Sequence, residues 1–171
     1  MRMPRGLTLI EMVVTMVVVA ILAGGTALFL VQGTNLWSKI AFQLDAMEQG
    51  SVAIDRMARE LAQIKDDSSV TTATATTCAF TSIANEAIQY QYTSSDSTLR
   101  RNGQLLAGGV SSCTFQYWDV KGQSLSAPLV IPPATKTDLW RVGVTLTLVS
   151  GKETVTLSTQ VLPRNFFRAN K

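Results

Sequence analysis

Residues 12–31 read MVVTMVVVAILAGGTALFLV, and this stretch decides the architecture. It begins a run of twenty-seven positions, Met12 to Ser38, without one charged residue. Twenty helical residues at ~1.5 Å each cross the ~30 Å hydrocarbon layer of a bilayer. A secretory signal peptide has a shorter apolar core followed by a small-residue cut site. Here the run is longer and an amphipathic helical pattern follows it directly, so a retained membrane anchor is expected. Arg2 and Arg5 precede the span, and Lys39 is the first basic residue after it. The positive-inside rule then puts the N-terminus in the cytoplasm and everything after Lys39 outside.

The rest of the composition narrows the function. The chain has 171 residues, 46% hydrophobic and 16% charged, which excludes a disordered chain. It contains no His, which removes the commonest general base and the commonest zinc ligand. No nucleophile motif is present, and Glu86, Asp96, Asp119, Asp138 and Glu153 are scattered rather than paired. No enzyme activity, cofactor or metal is expected. Asp66-Asp67 lies in no loop with the oxygen density of a calcium site.

Glu11 sits at the start of the span with apolar residues on both sides. A carboxylate at that depth is costly and is a functional candidate by default. The stretch Arg5-Gly6-Leu7-Thr8-Leu9-Ile10-Glu11 resembles the type III signal of prepilins, the subunits of type IV pili and type II secretion pseudopili. The resemblance implies cleavage between Gly6 and Leu7 by prepilin peptidase and N-methylation of Leu7. Phe is usual in the family where this chain has Leu7. It also implies that Glu11 neutralises a neighbouring subunit's new ammonium as the filament assembles. The implied partners are other pilin or pseudopilin subunits, the peptidase, an inner-membrane assembly platform and, before assembly, membrane lipid.

Beyond the span, Trp37, Ile40, Leu44, Met47, Ser51, Ile54, Ala58 and Leu61 follow helical steps of three and four. The second half of this stripe is expected to cover the chain's own sheet, and the first half to pack among other subunits. The expected division is a leader at 1–6, a transmembrane assembly helix at 7–31, an amphipathic helix at 32–65 and a periplasmic β-rich domain at 66–171. Val70 to Thr77 reads as a loop or irregular edge. Strands are expected at Cys78–Ile83, Ala87–Thr93, Thr98–Arg101, Val110–Asp119, Leu139–Ser150 and Glu153–Leu162. Asn102-Gly103 signals a tight hairpin, and a long connection with Pro128, Pro132 and Pro133 fills Val120 to Asp138. The fold class is α+β, a long N-terminal helix packed on an antiparallel sheet.

The strand portion, with Tyr90-Gln91-Tyr92, Thr98-Leu99-Arg100-Arg101 and Pro163-Arg164-Asn165, is similar to minor subunits of the family. These are the J-type minor pseudopilin of type II secretion and the W-type minor pilin of type IV pili. An initiating tip complex is the implied place of action. Cys78 and Cys113 both fall outside the membrane, where an oxidising compartment favours a bridge over two core thiols. A competence-type role would bring DNA to Arg100-Arg101, Arg141, Arg164, Arg168 and Lys171. From Asp66 onward, nine basic minus seven acidic residues gives only +2, so DNA is not an expected partner. A non-polymerising, membrane-anchored adaptor is the remaining alternative.

Overall fold

The computed structural model of the chain describes residues 8–129 and 139–166. Two compact units divide the chain, Met1–Ala41 and Phe42–Lys171, and the helix α1 (Leu9–Leu61) contributes to both. Within the first unit α1 runs unbroken through Gly24, Gly25 and Gly33, so these glycines do not unwind it. Its hydroxyls bond to its own backbone: Thr15 donates to the Met12 carbonyl (2.9 Å), Thr34 to that of Val31 (2.9 Å) and Ser38 to that of Thr34 (3.0 Å). Thr26 donates to Leu22 and Ala23. This is how a helix carries hydroxyls where water is absent. The window apolar enough to cross a membrane has none of its residues buried within the protein.

In the second unit, α1 buries Ala46, Gly50, Ala53, Ile54, Met57 and Leu61. The spacing 46, 50, 53, 57, 61 is one helical face. The second half of the expected stripe does cover the sheet, with Ile54 and Leu61 buried and Ala58 packed against the core, while Trp37, Ile40, Leu44 and Met47 in its first half are exposed. Ala46, Gly50, Ala53 and Met57 are additions to it. The docking face is built from small residues because the backbone comes close to the sheet. A Cβ on Gly50 would lie 2.6 Å from Leu157 Cδ1 and 2.7 Å from Leu148 Cδ1.

The helix ends at Leu61, a few residues before the expected boundary, and one 3-10 turn follows at Asp67–Ser69. The strands then form two antiparallel sheets rather than one. The first holds β1 (Val70–Ala73), β2 (Thr77–Thr81), β3 (Ala87–Thr93), β4 (Thr98–Arg101) and β5 (Gln104–Ala107), in that order. The second runs β7 (Ser124–Leu125), β6 (Val110–Trp118), β8 (Arg141–Ser150), β9 (Glu153–Val161). The segment expected as a loop or irregular edge from Val70 is thus an edge strand, and its register shifts between Val70 and Thr72. The sheet breaks at Gly108-Gly109, where Gly109 has φ +64 and a Cβ would lie 2.9 Å from the Val149 carbonyl oxygen, a path closed to any larger residue. Asn102 and Gly103, both at positive φ, make the expected hairpin.

Alternation decides which side chains meet. In β6 every inward position (Cys113, Phe115, Tyr117) is buried, and in β8 Val142, Val144, Leu146 and Leu148 are. They join Phe80, Ile88, Tyr90 and Leu99 of the first sheet and the docking face of α1 in one core. The sheets are also tied by backbone and hydroxyl bonds. Tyr92 Oη donates to the Ser111 carbonyl (2.6 Å) and the Phe115 N–H to that of Ala75 (2.8 Å). Gly50→Val should therefore destabilise the β-rich unit by about 1–3 kcal/mol, because two leucines must leave their packed positions. Gly50→Ala should be nearly neutral, since the helix gains about 1 kcal/mol and the leucine methyls can rotate away. Urea unfolding of the two variants, read by circular dichroism, checks the difference.

Candidate functional site

Thr8 precedes the first residue of α1, and the backbone N–H of Glu11 donates to Thr8 Oγ1 at 3.4 Å. Thr8-Leu9-Ile10-Glu11 therefore has the spacing of a capping box, a signal present in the sequence beside the charge argument. Glu11 also stands in the first turn, where a carboxylate meets the positive end of the helix dipole favourably. Gly6 and Leu7, the expected cleavage and methylation positions, lie outside the described residues. From Leu9 to Val31 fifteen large apolar side chains are exposed, Leu9, Phe29 and Ile10 the most.

Cys78 and Cys113 lie in β2 and β6, one in each sheet, and both are buried. Both are unbridged in the structure, and thiol titration tests the expected bridge. Burial pushes each thiol up to about 12, and the neighbouring Tyr117 hydroxyl donates to the Thr74 carbonyl at 3.0 Å. Thiols held that far up supply almost no thiolate for exchange with an external oxidant.

A polar cluster fastens α1 to the first sheet. Arg101 Nε donates to both carboxylate oxygens of Glu60, at 3.0 and 2.8 Å, and its Nη2 to Glu86 at 2.8 Å. Tyr90 Oη donates to Glu60 at 2.6 Å, and Arg56 Nε does so at 3.0 Å from the preceding turn. Glu60 and Arg101 are only 17% and 16% exposed, so this pair is worth more than a surface salt bridge. Burial raises the Glu60 carboxyl, and the bonds from Arg101, Tyr90 and Arg56 more than reverse that, leaving it below the usual carboxylate value. The cluster commits Arg101 to structure, and Arg141 donates to Gln160 (3.2 Å). Two of the basic residues considered for DNA are thereby occupied, and Arg168 and Lys171 lie outside the described residues. Among the described residues no group of three or more His, Cys, Asp or Glu could hold a metal ion.

Comparison with known families gives one result. Residues 1–27 match the prokaryotic N-terminal methylation motif. No curated protein matches the chain. The motif is that of type IV prepilin-like chains; it implies processing by prepilin peptidase and assembly with other pilin subunits, and it suggests a structural subunit rather than an enzyme. Together with α1 it fits anchoring in the inner membrane.

Two measurements follow from the geometry. Because the folded Glu60 carboxyl is depressed, its contribution is complete above the unfolded value near ~4.3. It is lost as the pH falls through the folded value. Glu60→Gln should cost about 1–3 kcal/mol at pH 7 and flatten the fall in stability below about pH 4.5. Thermal unfolding across that range checks it. Without reductant, the folded chain should react with no thiol reagent at neutral pH, and the unfolded chain should titrate both Cys78 and Cys113. An intact mass two hydrogens lighter would show a bridge instead.

Proposed function

We propose that this chain is a minor pilin or pseudopilin that enters a type IV pilus or type II secretion pseudopilus through its N-terminal helix. The observation that carries the reading is the continuity of the methylation motif at residues 1–27 with an apolar helix that the protein's own core leaves uncovered. The cut falls between Gly6 and Leu7, where a glycine lets the backbone lie extended in a protease cleft without side-chain obstruction. Leu7 becomes the methylated first residue. Its ammonium begins at the edge of the bilayer, with the N-terminus on the cytoplasmic side and the β-rich domain in the periplasm.

A cation and a carboxylate that each resist desolvation are relieved by meeting. The Glu11 of one subunit and the amine of the next therefore report correct register as the helix leaves lipid for the filament. The exposed apolar side chains of α1 exchange lipid for neighbouring helices, an exchange that costs little because both surroundings are apolar. The β-rich domain then contacts other minor subunits at an initiating tip.

The test separates the charge from the cap. Glu11→Gln keeps a side chain able to close the capping box, whereas Glu11→Ala removes both functions. Both variants should lose incorporation into the filament or tip complex, measured by co-purification from inner membranes, while still being cleaved. The mature wild-type chain should begin at Leu7 and carry one added methyl group by mass spectrometry. Retention of the first six residues in cells with an active peptidase would overturn the reading. So would unchanged incorporation of both variants.

A further inference from the structure

The outward face of the second sheet carries a feature that helix-driven assembly does not use. Across β6, β8 and β9 the register aligns Gln116 with Gly143 and Gly143 with Gln160, and Thr114 with Thr145 and Thr145 with Ser158. These positions point away from the core, and they are uncharged. At the end of β6 the Trp118 indole swings over the neighbouring strand. A Cβ on Gly143 would lie 2.6 Å from both Cζ3 and Cη2 of that ring. Only glycine at 143 lets an indole lie down on the solvent side of the sheet, and Trp118 is left half-buried there. Beside it opens a cleft of ≈ 310 Å³ lined by Gln116, Trp118, Gly143, Thr145, Ser158 and Gln160 together with neighbouring backbone.

We propose that this cleft binds one neutral pyranose unit of an oligosaccharide. The volume lies at the lower end of the ~300–1,000 Å³ of ligand clefts, enough for a ring-sized group. No ionisable side chain lines it, and the neighbouring Arg141 donates to Gln160. A phosphate backbone would need cations there, and a metal or amine would need carboxylates. Apolar surface is confined mainly to one aromatic ring, too little to hold a lipid chain. An extended peptide adds to a sheet through its edge, whereas this cleft is on the face. A pyranose offers a flat C–H face for the indole and a rim of hydroxyls that both donate and accept. Gln amides and Ser and Thr hydroxyls are the side chains that answer in kind. Those of Gln116, Thr145 and Ser158 make no side-chain hydrogen bond among the described residues and are open to a ligand.

The experiment is calorimetric titration of the full chain, held in a zwitterionic detergent without a sugar headgroup, with maltohexaose and with the hexamer of N-acetylglucosamine. At least one should bind. Trp118→Ala, which removes the platform, should weaken it about tenfold or more. Gly143→Ala, which displaces the platform and keeps every polar group, should do the same. The exposed pair Gln116→Ala with Gln160→Ala should also weaken binding, and gives the readout if either of the first two variants unfolds by circular dichroism. Trp37→Ala should change nothing. Absence of heat with both sugars up to about 10 mM overturns the proposal, as does binding that Trp118→Ala and the paired glutamine variant leave unchanged. The proposal does not depend on the filament reading, because no arm measures assembly.

Discussion

Fifteen large apolar side chains between Leu9 and Val31 have no cover from the protein itself, and the other properties of the chain answer to that constraint. Leaving them in water costs on the order of 20 kcal/mol, more than the ~5–15 kcal/mol by which a whole domain is stable. Something apolar must therefore surround them at every stage of the protein's existence. Lipid satisfies the requirement without any specificity, and so does a bundle of similar helices. A segment that accepts either is suited to passing from one to the other. The threonine and serine hydroxyls fit both environments because each is already bonded to a carbonyl of its own helix.

The same helix meets the opposite demand at its other end. There it must be covered by its own chain, and it achieves this with little apolar bulk. Ala46, Gly50 and Ala53 bring the backbone close to Leu148 and Leu157, so the leucines provide the buried area and the helix provides the clearance. Farther along, Met57 and Leu61 enter the core, and Glu60 on the flank takes hydrogen bonds from Arg101 and Tyr90 of the first sheet. Small residues set the distance and the ion cluster sets the rotation. A helix fixed in both respects leaves its larger residues, Leu44, Met47 and Val52, turned outward.

That division explains what could be read from the sequence and what could not. The apolar run, the strands from Ala87 to Arg101 and the β8–β9 hairpin were legible because period-two alternation and Asn102-Gly103 are strong local signals. The docking face was legible at Ile54 and Leu61 but not at Ala46 and Gly50, because a search for apolar periodicity scores those two as weak and Leu44 and Met47 as strong. Nearness to a sheet is a tertiary property with no hydropathy of its own. The break into two sheets was hidden for a similar reason. Gly108-Gly109 marks a turn, but whether β6 pairs with β5 or with β8 depends on a strand some thirty residues later.

Thr8 and Glu11 join the two halves of the problem. A carboxylate among apolar residues needs a reason to be there, and the capping box offers a local one that requires no second subunit. The local reason is incomplete. Gln would complete the same box without introducing a charge that lipid opposes, and Thr8 alone already supplies the acceptor for the first turn. What Glu adds over Gln is only the charge, and near a helix N-terminus that charge offsets about half an elementary charge of like position. An ammonium placed one residue before Thr8 would roughly triple the local positive charge at that end of the helix. On the proposed reading the carboxylate would balance that added charge, first within its own chain and afterwards across the contact with the next subunit. A residue that served both balances would have no neutral substitute, and that is the case for an acid at a position flanked by Ile10 and Met12.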